Sequence, residues 1–107
     1  MATQGIVSVT RRGYVLMKIV AGADGYNAQR LADRIKAKWP VYPEEVYAMA
    51  LSFEFGCPEC LVVMTAFKVI FEGEEDINPL YQETLQQPEF NPRWKCGIAD
   101  HVVVIEV

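Results

Sequence analysis

Apolar residues recur along the chain at two periods, and the switches between them mark its elements. Val7 and Val9 alternate with Ser8 and Thr10, which predicts a strand over Gly5–Thr10. Arg11-Arg12-Gly13 reads as a short turn whose glycine is free to take positive φ. Tyr14–Ala21 predicts a second strand, with Val15, Met17 and Ile19 on one face and Tyr14, Leu16, Lys18 and Val20 on the other. The lysine leads us to expect that second face to be wet at one end. Beyond Gly22-Ala23-Asp24-Gly25, the residues Ala28, Leu31, Ala32, Ile35 and Trp39 fall on one helical stripe. They predict a helix from about Asn27 to Trp39, capped by Asn27 or Asp24 and stopped by Pro40.

Pro43 opens a second helix at its first position, with Glu44 and Glu45 where the helix dipole favours acids. Val46, Met49, Ala50 and Phe53 form its apolar stripe, and Gly56 followed by Pro58 suits its end. Leu61–Thr65 is continuously apolar, as a central strand is, and Phe67–Glu72 alternates. Asn78-Pro79 starts a short helix to about Gln87. Pro88–Gly97 is irregular, with Phe90 and Trp94 as aromatic anchors. Asp100–Val107 is a strand apolar on both faces, which predicts a place in the middle of the sheet. The order ββααββαβ predicts one α+β domain over residues 1–107, a mostly antiparallel sheet with helices packed on one face. Leu31, Ile35, Val46, Ala50, Phe53, Val63, Val103 and Ile105 are the expected core.

Composition narrows the class further. At 107 residues and 51% apolar, the chain is long enough to bury about 65% of its unfolded surface in one core. No run approaches the roughly 20 apolar residues of a membrane span. Met-Ala-Thr-Gln-Gly is no secretory signal, and three cysteines fit a reducing compartment better than a disulfide framework, so the expected location is the cytoplasm. The net charge of −4 is split. Residues 1–40 carry seven Lys and Arg against two acids, and residues 41–107 carry three against twelve. Such a division favours oriented association with a protein partner or a second copy.

The strongest chemical pattern is Cys57-Pro58-Glu59-Cys60, which with Cys96 and His101 makes a formally complete Cys₃His set for Zn²⁺. The alternative is that the cysteines are small buried hydrophobes. A redox dithiol fits less well, because such a pair normally opens a helix after a strand, and here the order is reversed. Arg30, Arg34 and Lys38, at i, i+4 and i+8, together with Arg11 and Arg12, could contact nucleic-acid phosphates, although a solvated helix face has the same pattern. Glu72, Glu74, Glu75 and Asp76 form an acidic loop without EF-hand spacing. A single histidine and no nucleophile motif offer no triad, so the chain reads as a binding or interaction protein without catalytic activity, with a zinc or nucleic-acid module, or a small enzyme using the Cys57, Cys60 and His101 region, as the alternatives. Phe90 and Trp94, in an irregular segment that must pack against something, predict a homodimer interface.

The opening hairpin, the turn Ala23-Asp24-Gly25-Tyr26, the amphipathic helix after it and the closing strand Asp100–Glu106 resemble a group of small phage and prophage proteins. Those proteins carry a strand, a "DGYP" turn and a helix, and end in a hydrophobic strand; Asn27 stands here where they have proline. The resemblance implies a small accessory protein of a mobile element and assigns no site residues.

Overall fold

The computed structural model describes residues 3–72, 83–90 and 99–107. Among these residues, five strands form one sheet in the order β4-β3-β2-β1-β5. They are β1 (Gly5–Arg11), β2 (Tyr14–Ala21), β3 (Leu61–Thr65), β4 (Val69–Phe71) and β5 (His101–Glu106). Between β2 and β3 lie α1 (Ala28–Lys38) and α2 (Pro43–Ser52). The α+β class is as the pattern predicts, but the sheet is mixed: β5 runs parallel to β1 while the other pairs are antiparallel. No helix among the described residues is long and apolar enough to cross a membrane.

The β1–β2 connection is a tight hairpin because Arg12 and Gly13 both take positive φ, 53° and 84°, the signature of a turn whose twist matches the flanking strands. A bulge interrupts this ladder: Val9 faces Met17 but Thr10 faces Val15, so Leu16 is the extra residue. The alternation therefore flips, and Val15 joins the face of Lys18 and Val20 rather than that of Met17 and Ile19. Where β2 ends, the chain turns through Asp24 (φ 56°) into a 3₁₀ turn at Gly25–Asn27. Gly25 presses on the start of β1: its amide donates to Thr3 O at 2.9 Å, and a Cβ on it would sit 2.3 Å from Gly5 N. Only glycine allows that approach. Neither Asp24 nor Asn27 caps with its side chain; Asn27 Nδ2 instead donates to Glu54 O at 3.0 Å, tying the start of α1 to the end of α2.

Both helices cover one face. Leu31, Ala32 and Ile35 of α1 and Val46 and Ala50 of α2 pack on Val7, Val9, Met17, Ile19, Leu61, Val63 and Ile105. Of the expected core, Phe53 and Val103 are only partly buried, and Phe55, fully buried, is a core residue outside the predicted stripe. It stands there because α2 ends in a Schellman motif. Glu54 takes the left-handed conformation (φ 56°), its amide donates to Leu51 O at 3.0 Å, and Phe55 N–H reaches Ala50 O at 2.8 Å. The helix thus stops before Gly56, the predicted terminator.

The opposite face is covered as well. Ile6, Val15, Val20, Val62 and Met64 pack under Leu85 and Ala99, with Val102 partly buried beside them. Lys18 lies on this face and is 0% exposed, contrary to the wet end expected of it. Of the predicted helix to Gln87, residues 78–82 lie outside the described residues, and 83–86 form a helical turn. The closing strand is also placed differently from expectation. Among the described residues β5 is at an edge of the sheet, not in its middle. Its apolarity on one face follows from Val103 and Ile105 packing beneath α1, whereas Val104 is 49% exposed.

Candidate binding groove and its surroundings

The α-helical hairpin creates a concavity on the described surface. The helices are joined by a short link through a cis Trp39–Pro40 bond. A groove of about 510 Å³ between them is lined by Arg34 and Lys38 from α1 and by Glu45, Ala48, Met49, Ser52 and Phe53 from α2. Ser52 and Phe53 also border a second hollow of about 290 Å³, with Tyr26, Asn27, Arg30 and Glu54. The two hollows have Ser52 and Phe53 in common and together make a channel in two parts beside the helix pair. Arg30 lies over the Phe53 ring, 5.4 Å from its centre, a cation–π contact that holds the guanidinium on the channel wall. The i, i+4, i+8 spacing thus puts Arg30, Arg34 and Lys38 on one rail, facing the half-buried apolar side chains of Met49 and Phe53.

Arg11 and Arg12 do not join that rail. They occupy the tip of the β1–β2 hairpin, where Arg12 N–H donates to Glu106 Oε1 at 2.6 Å and Arg11 Nε to Val107 O at 3.4 Å. Glu106 also accepts from Thr10 Oγ1 at 2.7 Å. The Thr10 hydroxyl, the Arg12 amide and the nearby Arg11 and Lys36 charges hold its carboxyl below the usual range. The predicted phosphate-contact set is therefore divided, three residues on the groove and two at the hairpin tip, where Arg11 bonds through its side chain and Arg12 through its backbone amide.

Cys57 and Cys60 do come together. A turn closed by Cys60 N–H to Cys57 O at 3.0 Å brings the two sulfurs to 2.7 Å. Tyr47 Oη donates to Pro58 O at 3.4 Å and fastens this turn to α2. Burial, with Cys60 beside it, pushes the Cys57 thiol up to about 11, so at neutral pH the protonated form is favoured. His101 is not near. Leu61 pairs with Ala21, Ala21 with Gly5 and Gly5 with His101, so three strand spacings, about 14 Å, separate Leu61 from His101. One ion with bonds of about 2 Å cannot span that gap. Cys57 and Cys60 thus do not share one ion with His101, so the predicted Cys₃His set does not close as a single site. Cys96 lies outside the described residues, and among those described no group of three His, Cys, Asp or Glu side chains is gathered to hold a metal.

The Pro88–Trp94 segment was expected at an interface. Its described part, through Phe90, folds over the chain's own sheet, and Trp94 lies outside the described residues. Lys18 holds this cover down. Its ammonium donates to Thr84 O at 3.3 Å, to Gln87 O at 2.7 Å and to Phe90 O. Ser8 Oγ donates to Pro88 O at 2.8 Å. Gln86 exchanges two hydrogen bonds of 3.0 Å with the Val15 backbone, as a neighbouring strand would. Burial lowers Lys18 to about 8, which still leaves it mostly charged at neutral pH. Its partners lie more than sixty residues on in the chain, beyond the reach of any local pattern.

The class these features define is an α+β domain with, among the described residues, two helices on a mixed sheet and an interhelical channel lined by basic and apolar side chains. Comparison with family models, with curated proteins and with solved structures finds no match.

Proposed function

We propose that this protein is a small, non-catalytic interaction module whose α1–α2 channel takes an acidic, amphipathic segment of a partner protein. The observation that supports this reading is the pairing of a cationic rail, Arg30, Arg34 and Lys38, with the apolar floor of Met49 and Phe53 across one groove. Guanidinium forks favour carboxylates, and the floor receives the apolar side chains of the same segment. Glu45 and Glu54 on the opposite wall penalise a ligand with negative charge all round and favour one whose acids face α1 only. The small accessory role implied by the resemblance to phage and prophage proteins fits such a module. Arg11 and Arg12, at the hairpin tip, line neither hollow, which weighs against one phosphate-contact surface shared by all five residues.

The test uses a helical peptide of leucine and glutamate as probe, titrated into ¹⁵N-labelled protein. Amide shifts centred on Arg30, Arg34, Met49 and Phe53 are expected, with at least tenfold weaker binding to Arg34→Glu. Equal binding of a leucine–lysine peptide, or shifts centred elsewhere, would contradict the reading. A duplex DNA titration that produced the same shifts with a steep salt dependence would replace it with nucleic-acid binding.

A further inference from the structure

We infer that two copies of this chain pair through the outer edges of their β5 strands, antiparallel across a two-fold axis at Val104. This proposal stands on a different surface from the groove and does not depend on it. His101 N–H donates to Gln4 O at 3.1 Å and Val107 N–H to Thr10 O at 2.9 Å, so the odd-numbered amides of β5 face β1. By alternation, the N–H and C=O groups of Val102, Val104 and Glu106 face outward, and among the described residues no strand pairs with them. Edges are ordinarily guarded by lysine, proline or a bulge. His-Val-Val-Val-Ile-Glu has no lysine and no proline, and its pairing with β1 runs without a register shift. Val104 is 49% exposed at its centre.

A strand pairs with its own copy only if residues facing each other have the same hydrogen-bonding sense. The two-fold register that satisfies this puts Val104 opposite Val104 of the second copy, Val102 opposite Glu106 and Val103 opposite Ile105. The outward groups of Val102, Val104 and Glu106 are then all used, and the two Glu106 carboxylates stay at opposite ends of the seam. The charges around the strand argue for a second copy rather than an arbitrary strand. Asp100 stands just before β5, its carboxylate accepting from Gln4 N–H at 3.0 Å. Arg11 reaches over the far end of β5 to Val107 O. Antiparallel pairing brings the start of one β5 to the end of the other, so Asp100 of each copy meets Arg11 of its mate, twice by symmetry.

Light scattering on the full chain from micromolar to millimolar concentration reads this directly. A mass of about 24 kDa, twice the 12.1 kDa of the chain, is expected of a two-fold pair. Val104→Pro removes an outward amide that β1 does not use, a position where edge strands tolerate proline. It should yield a folded monomer, with a dispersed NMR spectrum as the check on folding. Val104→Lys gives the same reading should the proline variant fail to fold. Arg11→Glu should weaken the dimer at least tenfold, and adding Asp100→Arg should restore it. A monomer mass for the wild type at every concentration, a folded Val104→Pro or Val104→Lys protein that remains dimeric, or no restoration by the paired charge swap would overturn the proposal.

Discussion

At the scale of single residues, Lys18 carries the largest departure from what its neighbours in sequence suggest. Placed between Met17 and Ile19 in a strand, it reads as the polar member of an alternating pattern. In the fold it is the buried counterpart of three carbonyl oxygens on the segment that closes the second face. A long apolar stem and a cationic head suit that task, because the ammonium offers three donors while the methylenes pack against the sheet. Lys18→Met keeps the stem and deletes the head, so the Thr84, Gln87 and Phe90 carbonyls lose their charge-assisted hydrogen bonds to β2. Chemical denaturation should record a loss of about 3 kcal/mol, and residues 83–90 should become cleavable in limited proteolysis of the still-folded variant. The pH dependence has a definite sign. Burial lowers Lys18 from 10.5 to about 8, so below pH 8 folded and unfolded chains both hold the proton and the burial cost is felt in full. Between about pH 8 and 10.5 the unfolded chain keeps a proton that the folded chain has released, so this group's contribution rises with pH. Relative to Lys18→Met, the wild type should therefore gain stability across that window in urea titrations. A flat or falling difference would mean that the carbonyls, not burial, set the lysine's affinity for its proton.

At the scale of elements, the end of α2 shows how a local rule can be right in kind and misplaced in position. Gly56 and Pro58 announce that the helix must stop, and it does, but the left-handed residue that stops it is Glu54. A side chain in that conformation costs about 1 kcal/mol, which the Schellman hydrogen bonds and the burial of Phe55 offset. Glu54→Gly removes the cost, and its melting curve should show a gain of about 0.5–1 kcal/mol with the fold unchanged; a loss would indicate that the Glu54 side chain contributes contacts of its own. The strands repeat the lesson. The hairpin, the continuous apolar run of β3 and both helical stripes are legible because each follows one period and one set of turn residues. The bulge at Leu16 is not, since a one-residue insertion leaves an apolar strand apolar. The edge position of β5 is hidden for a related reason. Burial under α1 on one face and partial cover of Val102 on the other give an edge strand the sequence of a central one.

At the scale of the whole molecule, the two layers on either side of the sheet have separate jobs. One cover, residues 83–90, is locked by Lys18, Ser8 and Gln86 and completes the core. The other, the helix pair, leaves a channel open to solvent. The cationic rail of that channel was legible in the sequence as an i, i+4, i+8 row. Its floor was not, because Met49 and Phe53 carry the same helical period as core residues, and only the tertiary fold leaves them half-buried. The cysteine pair was legible too, but its expected partner His101 is three strands away, a separation that depends on the parallel β1–β5 pairing and on no local signal. The ion pair of Lys68 with Glu44 ties the β3–β4 link to the first turn of α2, and its proton affinity moves accordingly, with the Lys68 ammonium holding the Glu44 carboxyl below its usual range. Both groups are exposed, so this contact adds little to the frame that holds the channel. The proposed recognition rests on the sign of the rail, and reversing that sign is the most direct test. Calorimetric titration of leucine–glutamate and leucine–lysine helical peptides into the wild type and into the Arg30→Glu/Arg34→Glu/Lys38→Glu variant should show the preference reverse. The wild type takes the acidic peptide and the variant the basic one. An unchanged preference in the folded variant, or a wild type that binds neither peptide, would contradict the account.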